Sequence, residues 1–338
     1  MYEAFYNLHA KPFQLNPDPR FFYGSRGHMR VMSYLEYGLH QGEGFIVITG
    51  EIGAGKTTLV RNLFRTLDTE HVVAANLVST QLDADDTLRM VVAAFGLPNE
   101  DASKAILLKK LEAFLLSLHN QGKRALLVVD EAQNLTPRAV EELRMLSNFQ
   151  CAEKSLLQSF LLGQPEFRNT LQGEGMQQLR QRVIASYHLG PMDEPETRAY
   201  IEHRLLTAGW KGDPSFGADA FSAIYNYTGG IPRKINTLCD RLMLLGYLED
   251  MHALGQAAVK EVIADLVGEI GSPGEPRGNS SDLEASVLDE EKGLEMQLDL
   301  AKLEVRVSQM EKSVIKVLKL LREILALPSV ERLRKEDR

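Results

Sequence analysis

The chain has 338 residues, 44% of them hydrophobic, with 38 basic side chains against 46 acidic ones and a formal net charge of −8. That length fits two compact units plus something extended, and the acidic balance argues against a protein built mainly to hold duplex nucleic acid or an anionic membrane. Its two cysteines, Cys151 and Cys239, stand far apart without metal-ligand spacing, which excludes a disulfide framework and fits a reducing compartment.

From the N-terminus, Met1–Phe13 has no basic stretch followed by an apolar run, so no secretory leader is expected. No apolar run approaches the roughly 18 residues of a membrane span. The expected location is the cytoplasm, with any membrane contact made through a partner. Apolar runs then recur at Phe45–Thr49, Val72–Val78, Leu126–Val129, Ser159–Leu162 and Val183–Leu189, with longer helical patterns between them. Short apolar runs separated by helices predict an α/β domain over residues 1–190, its parallel sheet buried on both faces.

The first run enters Gly50-Glu51-Ile52-Gly53-Ala54-Gly55-Lys56-Thr57, which matches G-x-x-x-x-G-K-[ST], and a helix is expected from Thr58 to Leu67. The glycines let the backbone curl so that the N–H groups from Gly50, Gly53, Ala54 and Gly55 through Thr57 and Thr58 can face a β-phosphate, helped by the positive end of the helix. Lys56 is placed to reach the β- and γ-phosphates of ATP. The Thr57 hydroxyl is a ligand for Mg²⁺. The third run ends in Asp130-Glu131. Asp130 would lie near the same Mg²⁺, and Glu131 would act as general base on the attacking water. Having both predicts ATP hydrolysis to ADP and phosphate rather than nucleotide sensing alone.

Pro191–Pro195 punctuates the chain. Residues 191–268 read as an all-helical unit, with helices at Glu196–Ala208, Ala218–Thr228, Arg233–Glu249 and Gln256–Val267. Gly229-Gly230-Ile231-Pro232 separates the middle pair. Residues 269–292 are rich in Gly, Ser, Pro and acid and read as a flexible linker. Met296, Leu300, Leu303, Val307, Met310, Val314, Val317, Leu321 and Ile324 then recur at alternating spacings of four and three. This unbroken heptad stripe predicts a coiled-coil helix over 293–327, ended by Pro328 and a charged tail at 328–338. Self-association or a partner helix is the expected use, with more than two strands compatible with Leu318, Leu320 and Leu325.

Lys11-Pro12-Phe13, Asn16-Pro17-Asp18-Pro19-Arg20-Phe21-Phe22-Tyr23 and the phosphate motifs resemble the AAA+ ATPases of the general secretion pathway protein A (ExeA) group over residues 1 to about 268. Leu77–Asp86 and Glu142–Phe149 look most like the ATPase associated with exosortase A (PEP-CTERM) systems. The resemblance implies an AAA+ parallel sheet flanked by helices, a small helical lid domain and a homo-oligomer linked to export machinery or exopolysaccharide synthesis. It also assigns roles. Gln164 fits the sensor of the γ-phosphate or its water, for which an amide that both donates and accepts is suited. Arg180 or Arg182 fits an arginine finger acting on a neighbouring subunit's ATP. Arg233 fits the lid arginine. The Phe21–Gly24 turn and the helix around His28 lie where the adenine pocket forms, with Tyr23 either stacking on adenine or packing in the core.

Two other readings are weighed. Asp130-Glu131-Ala132-Gln133 resembles a helicase box, but that class needs a second sheet-containing motor, and no buried strands follow residue 190. A DNA-associated regulator of the transposition-ATPase type shares the same run. The acidic balance and the lack of a basic stripe weigh against it.

Overall fold

The computed structural model describes residues 1–78, 83–100, 102–152, 154–173 and 175–270. The expected coiled coil and charged tail, and the linker beyond Ile270, lie outside the described residues.

Five parallel strands form the central sheet: β1 (Phe45–Gly50), β2 (Val72–Val78), β3 (Arg124–Asp130), β4 (Leu157–Gly163) and β5 (Val183–Leu189). Their order is β2-β3-β4-β1-β5. The apolar runs become central strands because both faces are covered. Ile46 and Ile48 enter one core with Leu126, Val128 and Phe160. Phe45 and Val47, one residue out of phase, enter another with Leu127, Val129 and Leu161. A period of two thus sends every second side chain to the opposite layer, and a fully apolar strand satisfies both.

The edges depart from the expected two-sided burial. In β2, Ala74, Asn76 and Val78 are exposed, and in β5 Ser186 and His188 are exposed. The exposed positions alternate, so they share one face of each edge strand, which stays open to water while the other face packs inward.

Helices α1 (Arg26–Gln41), α2 (Lys56–Thr66), α3 (Ala84–Ala94), α4 (Lys104–Asn120) and α5 (Pro137–Leu146) flank the sheet, followed by the short α6 (Glu166–Gln172) and α7 (Gln177–Arg180). Beyond the sheet come α8 (Glu194–Thr207), α9 (Ala218–Thr228), α10 (Pro232–Leu248) and α11 (Gln256–Ile270). Asp193 and Glu196 form a capping box at the start of α8, satisfying two backbone donors that the helix leaves open.

These last helices have an apolar core of their own, including Ile201, Leu205, Ile235, Leu242 and Val259. Tyr2, Tyr6, Leu8 and Phe13 from the N-terminal segment are buried in it too. The segment is fastened by Tyr2 to Asp240 at 2.5 Å, Tyr6 to the Met251 carbonyl at 2.9 Å and the His9 N–H to the Ala208 carbonyl at 2.7 Å. The first residues therefore pack with the helical layer although they precede the sheet in the chain, and Met1–Ser272 form one compact unit.

Candidate nucleotide site

Because β1, β3 and β4 are parallel and adjacent in the order β3-β4-β1, their C-terminal ends share one edge of the sheet. The Gly50–Thr57 loop follows β1, Asp130-Glu131 closes β3, and Gln164 follows β4. Sheet topology alone therefore gathers the three stretches, at the edge where open parallel sheets bind ligands.

A cavity of ≈ 300 Å³ opens there. Its phosphate end is walled by Gly53, Gly55, Lys56, Thr57 and Thr58, with Glu131, Gln164 and Arg233 facing them. Gly53 (φ +82°) and Gly55 (φ +98°) both adopt the left-handed backbone that lets the loop curl into the start of α2. The first N–H groups of α2 have no acceptor within the helix, which leaves them to face an anion. Gly50 and Ala54, also expected at the phosphate, are not on the cavity wall. Gly50 offers its carbonyl to Lys56 Nζ at 2.6 Å, and Glu51 offers its own at 3.0 Å. Lys56 is only 6% exposed, and burial depresses its pKa, an effect opposed by Glu131 and Asp130 nearby.

Thr57 Oγ1 donates to Asp130 Oδ2 at 2.8 Å. Asp130 is 3% exposed; burial raises its pKa, against the hydrogen bonds from Thr57 and from the Glu131 N–H. A hydroxyl and a carboxylate side by side are the hard oxygen donors that suit Mg²⁺. The described residues contain no group of three or more His, Cys, Asp or Glu able to hold a metal ion unaided.

Glu131 itself sits at φ 55°, ψ 42°, a left-handed conformation rare for a side chain of this size. Its Oε2 accepts from Gln133 Nε2 at 2.5 Å and from Gln164 Nε2 at 3.3 Å. Gln133 Oε1 in turn accepts the Gln164 N–H at 2.9 Å. Glu131 and Gln164, both expected at the site, line this one cavity. Gln133 stands in the sequence as the last residue of the Asp130-Glu131-Ala132-Gln133 run, which gives it no role of its own.

His28 marks the helix expected near an adenine pocket, and the structure adds a contact with the loop. It is 5% exposed; its Nε2 lies 3.0 Å from the Ala54 carbonyl and its Nδ1 2.6 Å from Ser25 Oγ. The carbonyl can only accept, so Nε2 carries the proton and the serine hydroxyl donates to Nδ1. Burial lowers the His28 pKa and keeps the ring neutral.

Arg233 begins α10 against the loop, its N–H donating to the Gly53 carbonyl at 3.1 Å. At the far end of the cavity stand Leu15–Asp18, Phe21–Tyr23, Tyr200, Arg204 and Asn236. Tyr23 lines it while packing edge-on against Tyr200, with ring centroids 5.9 Å apart. Arg204 is 7% exposed and donates to the Pro12 carbonyl, the Tyr200 hydroxyl and the Gln14 carbonyl at 2.5, 3.0 and 3.3 Å. Neither Arg180 nor Arg182 is on the cavity wall. Arg180 is exposed and donates to the Leu171 carbonyl at 2.6 Å, while Arg182 bonds Ser147 Oγ at 2.6 Å and Asn148.

The strand order, the curled loop and the paired acids share one edge of the sheet, and residues 39–171 match the family model described as AAA domain. The chain is 38% identical over 255 residues to General secretion pathway protein A of Aeromonas hydrophila, an alignment covering 75% of this chain and 46% of that protein. It therefore spans less than half the length of that relative. Among solved structures, the ORC2 protein of Aeropyrum pernix (ADPNP-ADP complexes) superimposes with a TM-score of 0.58 at 16% identity, covering 76% of this chain and 71% of that one. Cdc6p of Pyrobaculum aerophilum gives 0.57 at 16%, covering 78% and 74%. At that identity the likeness is one of fold. No helix among the described residues is long and apolar enough to cross a membrane.

Proposed function

We propose that the chain is an ATP-hydrolysing AAA+ ATPase that works as a homo-oligomer. The observation that carries this reading is the Thr57–Asp130 pair at 2.8 Å, with Lys56, Glu131 and Gln164 around the same cavity. Lys56 and the α2 N-terminus bind and orient the β- and γ-phosphates. Thr57 and Asp130 would hold Mg²⁺, which supplies charge neutralisation at the phosphates. Glu131 accepts the proton of the attacking water as the oxygen bonds to the γ-phosphorus. The bond to the β–γ bridging oxygen breaks, and ADP leaves with that electron pair. Gln164 orients the water or the γ-phosphate. Arg233, bonded through its backbone to the phosphate loop, carries the state of that loop into the helical lid over 191–268.

Arg180 and Arg182 are read as candidates to complete a neighbouring subunit's site. Their distance from this chain's own cavity agrees with that use. The work driven is read as assembly or export in an exosortase, exopolysaccharide or secretion-related system, supported by the likeness to General secretion pathway protein A. The expected coiled coil would supply self-association or a protein partner.

Phosphate release from purified protein with Mg²⁺-ATP tests the activity. Glu131→Gln should retain nucleotide and lose roughly 10²–10⁴-fold in turnover, whereas Lys56→Ala should lose binding. Wild-type turnover in Glu131→Gln would remove the base assignment. Stimulation by duplex DNA would move the reading to the transposition-type regulator.

A further inference from the structure

The structure assigns Gln133 as a positioning residue for hydrolysis: its amide fixes the carboxylate of Glu131 and ties it to Gln164. The inference rests on the ATPase reading above and deepens it. Gln133 stands on the one-turn 3-10 helix Ala132–Asn134 that follows Glu131, closed by the Asn134 N–H to the Glu131 carbonyl at 3.0 Å and the Leu135 N–H to the Ala132 carbonyl at 3.1 Å. Ala132 is fully buried, so the turn is anchored in the core. From it the half-buried Gln133 side chain reaches both strands at once. Its Nε2 donates to Glu131 Oε2 at 2.5 Å, and its Oε1 accepts the Gln164 N–H at 2.9 Å.

Both ends of the amide are thus committed, and its orientation follows from its partners. Exchanging oxygen for nitrogen would set an acceptor against the carboxylate and a donor against the Gln164 N–H. The backbone beside it is shaped to admit the amide: a Cβ on Gly163 would lie 3.2 Å from Gln133 Oε1 and 3.1 Å from Phe167 Cβ.

The consequence concerns which oxygen does the chemistry. Oε2 of Glu131 is occupied by the amides of Gln133 and Gln164. Oε1 has no protein donor among the described residues and is the lone acceptor left for water. Glu131 is held in a left-handed backbone conformation that turns its side chain toward the cavity, and Gln133 converts that turn into a single rotamer. When Gln164 turns its side-chain amide to the γ-phosphate, Gln133 still holds the base, because its own link to Gln164 is through the backbone N–H. Base and sensor therefore keep their spacing while one of them changes partner.

The experiment uses the full chain and four forms: wild type, Glu131→Gln, Gln133→Met and the double variant. Met preserves length and volume and removes both hydrogen bonds. The expected result is a fall in kcat of about tenfold or more in Gln133→Met. The Kd for a non-hydrolysable ATP analogue should stay within about twofold, and Tm should fall by no more than the loss of the Gln164 N–H bond allows. In the Glu131→Gln background Gln133→Met should add nothing, since residues acting as a unit are not additive. Gln133→Asn, too short to span both strands, should repeat the kcat loss if the Met variant folds poorly. Wild-type kcat in both variants overturns the proposal, as does a loss of Kd and Tm that accounts for the whole fall. Failure of the ATPase reading itself would show separately, as an inactive wild type or a fully active Glu131→Gln.

Discussion

The N–H of Arg233 donates to the carbonyl of Gly53 at 3.1 Å, and a Cβ built on Gly53 would lie 2.4 Å from the Cβ of Arg233. The start of α10 and the tip of the phosphate loop are thus in backbone contact. Whatever moves the loop moves α10. Gly53 is needed twice over, for its φ of +82° and for the absence of a side chain where Arg233 stands.

Gly53→Ala should therefore cost more than about 1 kcal/mol of stability through strain alone. It should also weaken nucleotide binding, because the relief lies in parting α10 from the loop. Thermal melts with and without nucleotide check this: the variant should melt lower and gain less from ATP than wild type.

Asp130 gives a prediction of opposite sign for stability and activity. Burial raises its folded pKa above the free value. Between those two values the native protein holds a proton that the unfolded chain lacks, so stability falls as pH rises through the window. At neutral pH the buried charge is a standing cost to the nucleotide-free fold. Asp130→Asn should raise the Tm of nucleotide-free protein at pH 7. It should lower the apparent Mg²⁺ affinity in turnover by at least the roughly 10–100-fold known for partners of metal ligands. A lower Tm at pH 7 would contradict the burial argument.

His28 holds the loop from behind. Its folded pKa is lowered by burial, so stability is full above the free imidazole value and falls as pH drops from there toward the folded value. His28→Gln keeps a donor for the Ala54 carbonyl and removes the titration, so its melting curve should lose this acid-side decline. His28→Ala leaves the carbonyl unpaired and should cost about 1–3 kcal/mol. The pH dependence of Tm across the two variants separates hydrogen bond from charge.

Arg180 and Arg182 test the shared site. If one of them completes a neighbour's cavity, its Ala variant should lose up to about 10³-fold in turnover. Mixing it with Lys56→Ala subunits should restore part of the activity, because the mixed interface pairs an intact finger with an intact loop. Titrating one variant into the other at fixed total protein gives the measurement, and a flat response would assign both arginines to the carbonyl and side-chain contacts they make within the chain.

The pattern of residues was enough for the sheet and the phosphate loop. Five apolar runs set five strands; the three central ones are buried on both faces, whereas β2 and β5 keep exposed positions on one. The loop was legible because curling around a phosphate demands glycine where φ is positive. Asp130-Glu131 was legible because the strand before it fixes where it ends. Other features depended on tertiary structure. Gln133 and His28 lie in stretches the sequence marked, but their tasks were not legible there, since an amide or imidazole acquires its task from the partner that packing brings within about 3 Å. The N-terminal tyrosines were counted with the sheet by sequence position, yet they pack among the last helices, because buried apolar area is indifferent to distance along the chain. The sequence by itself determined which chemistry the chain can offer a nucleotide. Only the parallel strand order decided that a loop, a carboxylate pair and a glutamine, spread over more than 100 residues of chain, would share one edge of the sheet.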